Sequence, residues 1–243
     1  MLEKKTIVLT GGAIGLGREL TRLFCEQGHR LIICGRTQNA LEEVRECHSD
    51  VITVCVDLAS PEGRRRFLDA VHELERPVDL VVHNAALQFA YDFTNSCTPV
   101  ERIETELLVN LLAPIELTVE LLPLLKPAAD ARVVLISSAL ARVPKKSAPI
   151  YCASKAGLSN FARALRYQLE GTGVGVTEVV PDLIVTRMAA GRGDKALSAF
   201  EAAQKIIAGL AKQQDEIRLG RVPFLYALHR VVPDLAYRIL KAA

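Results

Sequence analysis

Residues 137–155 carry a hydroxyl, a phenol and an ammonium, Ser138, Tyr151 and Lys155, at spacings that can bring the three together. Pro149 and Ile150 lead into a helix, and the four-residue interval puts Tyr151 and Lys155 on one face of it. A free phenol, with a pKa of ~10, is a poor acid or base at neutral pH, but a cation beside it favours the phenolate and brings it toward a working range. Ser138 follows the apolar run Val133, Val134, Leu135, Ile136, which reads as a buried parallel strand whose carboxyl end delivers the hydroxyl to a crevice. The same Tyr and Lys also fit a surface helix with a packed ring and a solvated amine, so the surrounding elements must decide.

Those elements begin with a strand at residues 6–10, the turn Thr10-Gly11-Gly12-Ala13-Ile14-Gly15-Leu16-Gly17, and an amphipathic helix with Leu20, Leu23 and Phe24 on one face. Glycines let the backbone approach a diphosphate, and the helix amino terminus offers it free N–H groups. A second strand, residues 31–34, ends at Gly35-Arg36, about where a dinucleotide fold places the residue that meets the adenosine ribose. No carboxylate stands there, and Arg36 can pair with a 2′-phosphate, which predicts NADP over NAD. A third strand, residues 51–56, ends at Asp57-Leu58, where the carboxylate can accept from the adenine amino group. A fourth, residues 78–82, ends at His83-Asn84-Ala85-Ala86; His83 reads as a packed loop residue and is assigned no chemistry.

A helix from about Glu101 carries Leu107, Leu108, Leu111, Ile115, Val119 and Leu122, with Asn110 among them, an amide that needs partners once buried. A sixth strand, residues 174–180, ends at Pro181-Asp182. Strand and helix alternate without a break in composition. This predicts a single α/β domain over residues 1–243, a doubly wound, Rossmann-like parallel sheet with helices on both faces.

Half of the residues are apolar and no polar tract interrupts them, which excludes disorder. A net charge of +2 with interspersed signs leaves no basic footprint, which argues against nucleic acid as a partner. The six cysteines show no Cys-x-x-Cys spacing, which argues against a metal site and for a reduced, cytoplasmic protein. No secretory signal is visible before the first strand. The most membrane-like stretch, residues 107–125, contains Asn110, Pro114, Glu116 and Glu120, and reads as a long, kinked, largely buried helix.

Thr10-Gly11-x-x-x-Gly15-x-Gly17, Asn84, Asn110, Ser138 and Tyr151-x-x-x-Lys155 stand in the order and at the intervals of the short-chain dehydrogenases/reductases, and over about residues 5–190 the chain resembles that family. The resemblance implies an NADP(H)-dependent oxidoreductase moving hydride between a nicotinamide and a carbonyl or secondary alcohol. It implies Tyr151 as proton donor, Ser138 as hydrogen-bond partner of the same oxygen, Lys155 as a ligand of the nicotinamide ribose that lowers the Tyr151 pKa, and Asn110 as anchor of a relay water. Gly11, Ile14, Gly15 and Gly17 would meet the cofactor at the turn and Asp57 and Leu58 at the adenine. Asn84 would support the sheet beside it, and Thr186 would contact its carboxamide. A homodimer or homotetramer built on the helices around Asn110 and Tyr151 is also implied.

Three positions depart from the family pattern. His83-Asn84-Ala85-Ala86 stands where Asn-Asn-Ala-Gly is usual, Ile14 where a polar residue is common, and Asp182 where a glycine commonly follows the proline. Blocks at residues 147–156, 164–169 and 216–221 are similar to a bacterial branch found beside D-alanine esterification and lipid-related genes. Retention of Asn110, Ser138, Tyr151 and Lys155 favours an enzyme over a non-catalytic NADP-binding sensor or scaffold of the same fold. Residues 187–200 form the expected substrate loop, and Ala189, Ala190, Leu197 and Phe200 suggest a partly apolar small-molecule substrate. In residues 217–243, Arg218, Arg221, Arg230, Arg238 and Lys241 face one acid, Asp234, while Phe224, Leu225, Leu228, Val231 and Val232 recur at helical intervals. This basic amphipathic tail is expected to close over an apolar substrate or to rest on a membrane surface, with docking on its own domain or across a subunit interface favoured over the membrane.

Overall fold

The computed structural model describes residues 4–94, 99–125, 131–182, 184–185 and 197–241. The apolar runs become β1 (Thr6–Thr10), β2 (Arg30–Gly35), β3 (Ile52–Cys55), β4 (Leu80–His83), β5 (Ala131–Ile136) and β6 (Val174–Val180). β1, β4 and β5 are buried at every position, as strands covered on both faces must be. Two short strands, β7 (Ile184–Val185) and β8 (Leu197–Ser198), pair with each other. β9 (Glu216–Arg218) adds to the edge of the main sheet, whose parallel order is β3-β2-β1-β4-β5-β6-β9.

The expected fourth strand starts two residues later than the apolar run, because Val78 bridges to Leu125 outside the sheet. β9 was not expected. Its three residues span the start of the stretch assigned to the tail, and only Ile217 is buried there.

The helices α1 (Gly15–Glu26), α2 (Gln38–Cys47), α3 (Pro61–His72), α4 (Val100–Leu107), α5 (Ala113–Leu121), α6 (Pro149–Gln168) and α7 (Ala199–Ala211) form the two covering layers. Leu20, Phe24, Leu41 and Ile206 of α1, α2 and α7 pack on the sheet face bearing Ile7, Leu9, Ile33 and Val134. Phe67, Leu117 and Leu158 of α3, α5 and α6 pack on the face bearing Val8, Ile32, Val133 and Leu135. Alternate strand residues feed alternate layers, which is the two-residue period of a strand applied to a doubly wound sheet. Cys34, in β2, sits in the core as a small hydrophobe.

α4 and α5 are one continuous helical run joined by a π turn at Leu108–Leu112. Pro114 has no N–H to give the Asn110 carbonyl, the bond that an α-helix would make, and the turn widens just before it. The run is long and kinked, as expected. It is not largely buried, because Val100, Leu107, Leu112 and Val119 form an exposed outer stripe while Val109, Leu117 and Leu121 face the core. Among the described residues it is the one helix long and apolar enough, by length and composition, to cross a membrane.

The tail forms α8 (Val222–Val231) and α9 (Pro233–Lys241). α8 docks on the chain's own body. Val222 and Tyr226 are buried against Ala139 and Val180, and the Arg142 guanidinium lies 4.3 Å from the Tyr226 ring centre.

Candidate active site

The turn after β1 is held from both sides. Gly11 and Gly15 have φ of +67° and +54°, and the Gly11 and Gly12 N–H groups both donate to the Cys34 carbonyl of β2. A β-carbon at Gly17 would lie 1.9 Å from the Gly11 carbonyl oxygen, so α1 approaches the turn as closely as only glycine allows. The Asn84 amide donates to the Thr10 and Gly11 carbonyls at 3.1 and 3.0 Å, while the Thr10 hydroxyl accepts from the N–H groups of Asn84 and Ala85. Asn84 thus ties the end of β4 to the turn. Ile14, the residue before α1, extends into solvent and gives the helix no side-chain cap, so the first N–H groups of α1 are left for a ligand.

Arg36 and Asp57 stand at the adjacent ends of β2 and β3. The Asp57–Leu58 turn is fixed by Arg64, whose guanidinium donates to the Leu58 and Ala59 carbonyls at 2.8 and 3.1 Å and pairs with Glu116 of α5. Asp57 Oδ1 accepts from the Ala59 N–H, which turns the carboxylate back on its own loop.

On the other side of β1, Lys155 is buried on α6 and donates to the Ile136 carbonyl of β5 at 2.8 Å. Its nitrogen lies 5.7 Å from the centre of the Tyr151 ring. Burial pushes the Lys155 pKa down to about 8, opposed by the charge of Glu106. Burial also pushes the Tyr151 phenol up to about 12, against a hydrogen bond from Ser138 that lowers it. Desolvation therefore sets the direction of the Tyr151 shift, opposite to the lowering expected from Lys155, and the group that lowers it is Ser138. Ser138 Oγ accepts from the Leu140 N–H, which leaves its own hydrogen to donate.

Asn110 is fully buried, and its side chain is already committed. Oδ1 accepts from the Leu87 N–H at 2.7 Å, and Nδ2 donates to the Leu87 carbonyl and the Ser154 hydroxyl. His83 is neutral, its pKa pushed down to about 3 by burial. Because the Thr118 hydroxyl donates to the Pro114 carbonyl, His83 Nε2 is the donor to Thr118. This is the packing role that the sequence suggested.

One cavity of about 680 Å³ collects these groups. Gly11, Ile14, Gly15, Arg36, Asp57, Leu58, Asn84, Ser138, Tyr151 and Lys155 line it; Gly17 and Asn110 stand behind its wall, and Thr186 lies outside the described residues. A family model described as short chain dehydrogenase matches residues 5–196. The chain belongs to the short-chain dehydrogenase family. It is 30% identical over 91% of its length to 90% of the uncharacterized oxidoreductase DltE of Bacillus subtilis (strain 168), which meets the likeness to a bacterial branch. It is 31% identical over 79% of its length to 78% of sulfoacetaldehyde reductase 2 of Chromohalobacter salexigens. A short-chain dehydrogenase from Burkholderia cenocepacia, solved in complex with NADP, superposes with a TM-score of 0.85 over 98% of both chains at 23% identity, which shows the shared fold. As a member of this family, the protein is a nicotinamide-dependent dehydrogenase/reductase.

Sequence reasoning missed several residues of this short-chain dehydrogenase's site. Residues 187–196 of the expected substrate loop lie outside the described residues, and Phe200 does not line the cavity: it begins α7, under the Arg22 guanidinium. Leu87, Leu140 and Ile184 supply apolar wall instead, together with Leu225 and Leu240 of the tail. Asp182 pairs with Arg221 at 2.8 Å, and both line the cavity.

Gly17→Ala tests the cradle. The added carbon must displace the Gly11 carbonyl, so NADPH affinity is expected to fall by more than about tenfold, or about 1.4 kcal/mol. Calorimetric titration on a variant of unchanged circular dichroism checks it, and wild-type affinity would contradict the close approach as a binding requirement.

Proposed function

We propose that this short-chain dehydrogenase is an NADP(H)-dependent carbonyl reductase or alcohol dehydrogenase acting on a partly apolar small molecule, with residues 1–243 as one catalytic unit. The reading rests on a single cavity lined by Arg36 and Asp57 from one side of β1 and by Ser138, Tyr151 and Lys155 from the other. A bound nicotinamide would supply or accept the hydride. A phenol pushed up to about 12 keeps its proton through neutral pH, which suits Tyr151 to deliver it to a carbonyl oxygen during reduction. Ser138, whose hydroxyl hydrogen is directed at Tyr151, would turn it to the same oxygen. Lys155 spends one N–H on Ile136 and retains two for ribose hydroxyls.

Because the Asn110 amide is committed to Leu87 and Ser154, a relay water would sit at the Asn110 main-chain carbonyl, which Pro114 deprives of its α-helical donor. Backbone N–H groups at the start of α1 would hold the diphosphate beside Ile14. Asp57 and Leu58 would meet the adenine, and Thr186 is assigned the carboxamide by family likeness. Arg36, with no carboxylate at the end of β2, favours the 2′-phosphate. The NADP bound by the Burkholderia protein is consistent with that choice.

Two exposed apolar faces support the assembly reading. The outer stripe of α4–α5 suits a homodimer or homotetramer. The tail presents Phe224 and Val231, 72% and 78% exposed, on helices that also carry Arg230 and Arg238, a combination that suits peripheral contact with an anionic membrane. The described cysteines are free thiols, which accords with a cytoplasmic location.

Four outcomes are expected. Arg36→Ala should weaken NADPH binding by about 1.5–3 kcal/mol, the range for a hydrogen bond to a charged group, while leaving NADH nearly unchanged; equal wild-type affinities for the two dinucleotides would refute the preference. Tyr151→Phe should still bind NADPH but lose about 10²-fold or more in kcat on an active carbonyl substrate, and a Phe variant that keeps most of its turnover would place the acid elsewhere. In sedimentation velocity the wild type should be a dimer or tetramer that Val119→Asp dissociates, and Phe224→Ser/Val231→Ser should remove salt-sensitive pelleting with anionic vesicles. A monomeric wild type would refute the assembly, and absence of pelleting would refute the membrane contact.

A further inference from the structure

Close behind the reaction centre is a buried acid that the proposed mechanism does not use. Glu106, 0% exposed, lies on α4 one helical turn before Asn110. A carboxylate on this helix has water available on the outer stripe, so its burial on the inner side requires partners. Glu106 Oε2 accepts from the Tyr91 hydroxyl at 2.8 Å, and Oε1 has no hydrogen-bond partner among the described residues.

Tyr91 ends the segment of residues 85–91 that leaves β4 and walls the cavity with Ala85, Ala86, Leu87 and Gln88. The segment is gripped at Leu87 by the Asn110 amide and at Tyr91 by two bonds, its N–H donating to the Ser147 carbonyl and its hydroxyl to Glu106. Two side chains spaced i, i+4 on one helix face therefore hold this cavity wall, one at Leu87 within it and one at Tyr91 just beyond it.

The charged and titratable groups facing Glu106 are Tyr91 on that segment and Lys155, Tyr151 and Cys152 on α6; Arg102, on α4 itself, acts on Tyr91. Burial raises the Glu106 pKa above the ordinary carboxylate range, opposed by the Tyr91 hydroxyl, the Phe89 N–H and the Lys155 ammonium. In return, the Glu106 charge raises Lys155 and Tyr151. The hydrogen bond of Lys155 goes to a neutral carbonyl, and the buried Glu106, one helical turn from the Asn110 that bonds Ser154 beside Lys155, acts on the ammonium through charge without a direct ion pair.

We propose that Glu106 is a positioning residue of the reaction, bracing the cavity wall through Tyr91 and serving through its charge as counter-ion to the Lys155 ammonium. The proposal rests on Tyr151 and Lys155 being the proton-transfer pair, and its first test needs no substrate. In the wild-type protein with 13C-labelled glutamate carboxyls, the Glu106 resonance should step through about pH 8 as Lys155 loses its proton, because coupling between titrating groups is mutual. Lys155→Met should abolish that step. Glu106→Gln keeps an acceptor for Tyr91 and removes the charge, so Lys155 and Tyr151 should lose their protons at lower pH. The alkaline limb of kcat/KM for carbonyl reduction is then expected to move down by about one pH unit, and Glu106→Asp to move it back. A Glu106 resonance flat through that range, or an alkaline limb unmoved in Glu106→Gln, would overturn the proposal. Absence of turnover alongside an intact step would instead count against the proposed activity and leave the charge pair standing.

Discussion

The bond from the Lys155 ammonium to the Ile136 carbonyl is the constraint on which the reaction centre depends. An ammonium out of water needs acceptors, and here the acceptor is the last residue of β5, so α6 is fixed against the carboxyl edge of the sheet. Tyr151 is one turn earlier on α6 and Ser138 two residues beyond Ile136. Once that bond is made, hydroxyl, phenol and ammonium have little freedom left relative to one another. The cost is visible in the lysine itself, whose pKa burial drives down to about 8.

The dinucleotide end is fixed by the same kind of junction, with neutral groups. β1 lies inside the sheet, where successive strands are added on opposite sides of it, and ligands of open parallel sheets bind at such a reversal. Thr10 and Asn84 cross-link the two strands that part there, β1 and β4, just where their paths diverge. Further out, Arg64 performs the corresponding task for Asp57 and Leu58, linking their turn to Glu116 of α5. The Asp57 turn on one side and the Asn110 helix on the other are therefore braced by one helical run, which couples the two ends of the cavity.

What could be read from the sequence was local. Tyr151 and Lys155 share a helix face, Ser138 terminates an apolar strand, and glycines between a strand and a helix have few other uses, so spacing alone brought those residues to one edge. Groups whose roles depend on distant partners were not legible. Glu106 reads in isolation as a solvated acid, and its burial depends on distant elements, residues 85–91 and α6, that pack against α4. Asn110 was recognised as an amide in need of partners, but its partner Leu87 is 23 residues away and carries no polar side chain. β9 escaped because three residues with one buried side chain give no period to detect.

Asp182 and the tail, two features that the sequence left unexplained, account for each other. Asp182 occupies the glycine position after β6 and accepts from the Arg221 guanidinium at the start of α8, while Gly220, with φ of +62°, lies so close that a β-carbon added to it would stand 3.1 Å from that of Asp182. Such a partly exposed ion pair contributes no more than about 1 kcal/mol, whereas burying Val222 and Tyr226 contributes about 1.5–3 kcal/mol each. Packing therefore holds the tail down, and the ion pair sets where α8 begins. That starting point determines whether Leu225 and, through α9, Leu240 reach the cavity, so a substitution that alters catalytic-edge geometry in the family pattern here directs the chain's last two helices to complete the apolar wall.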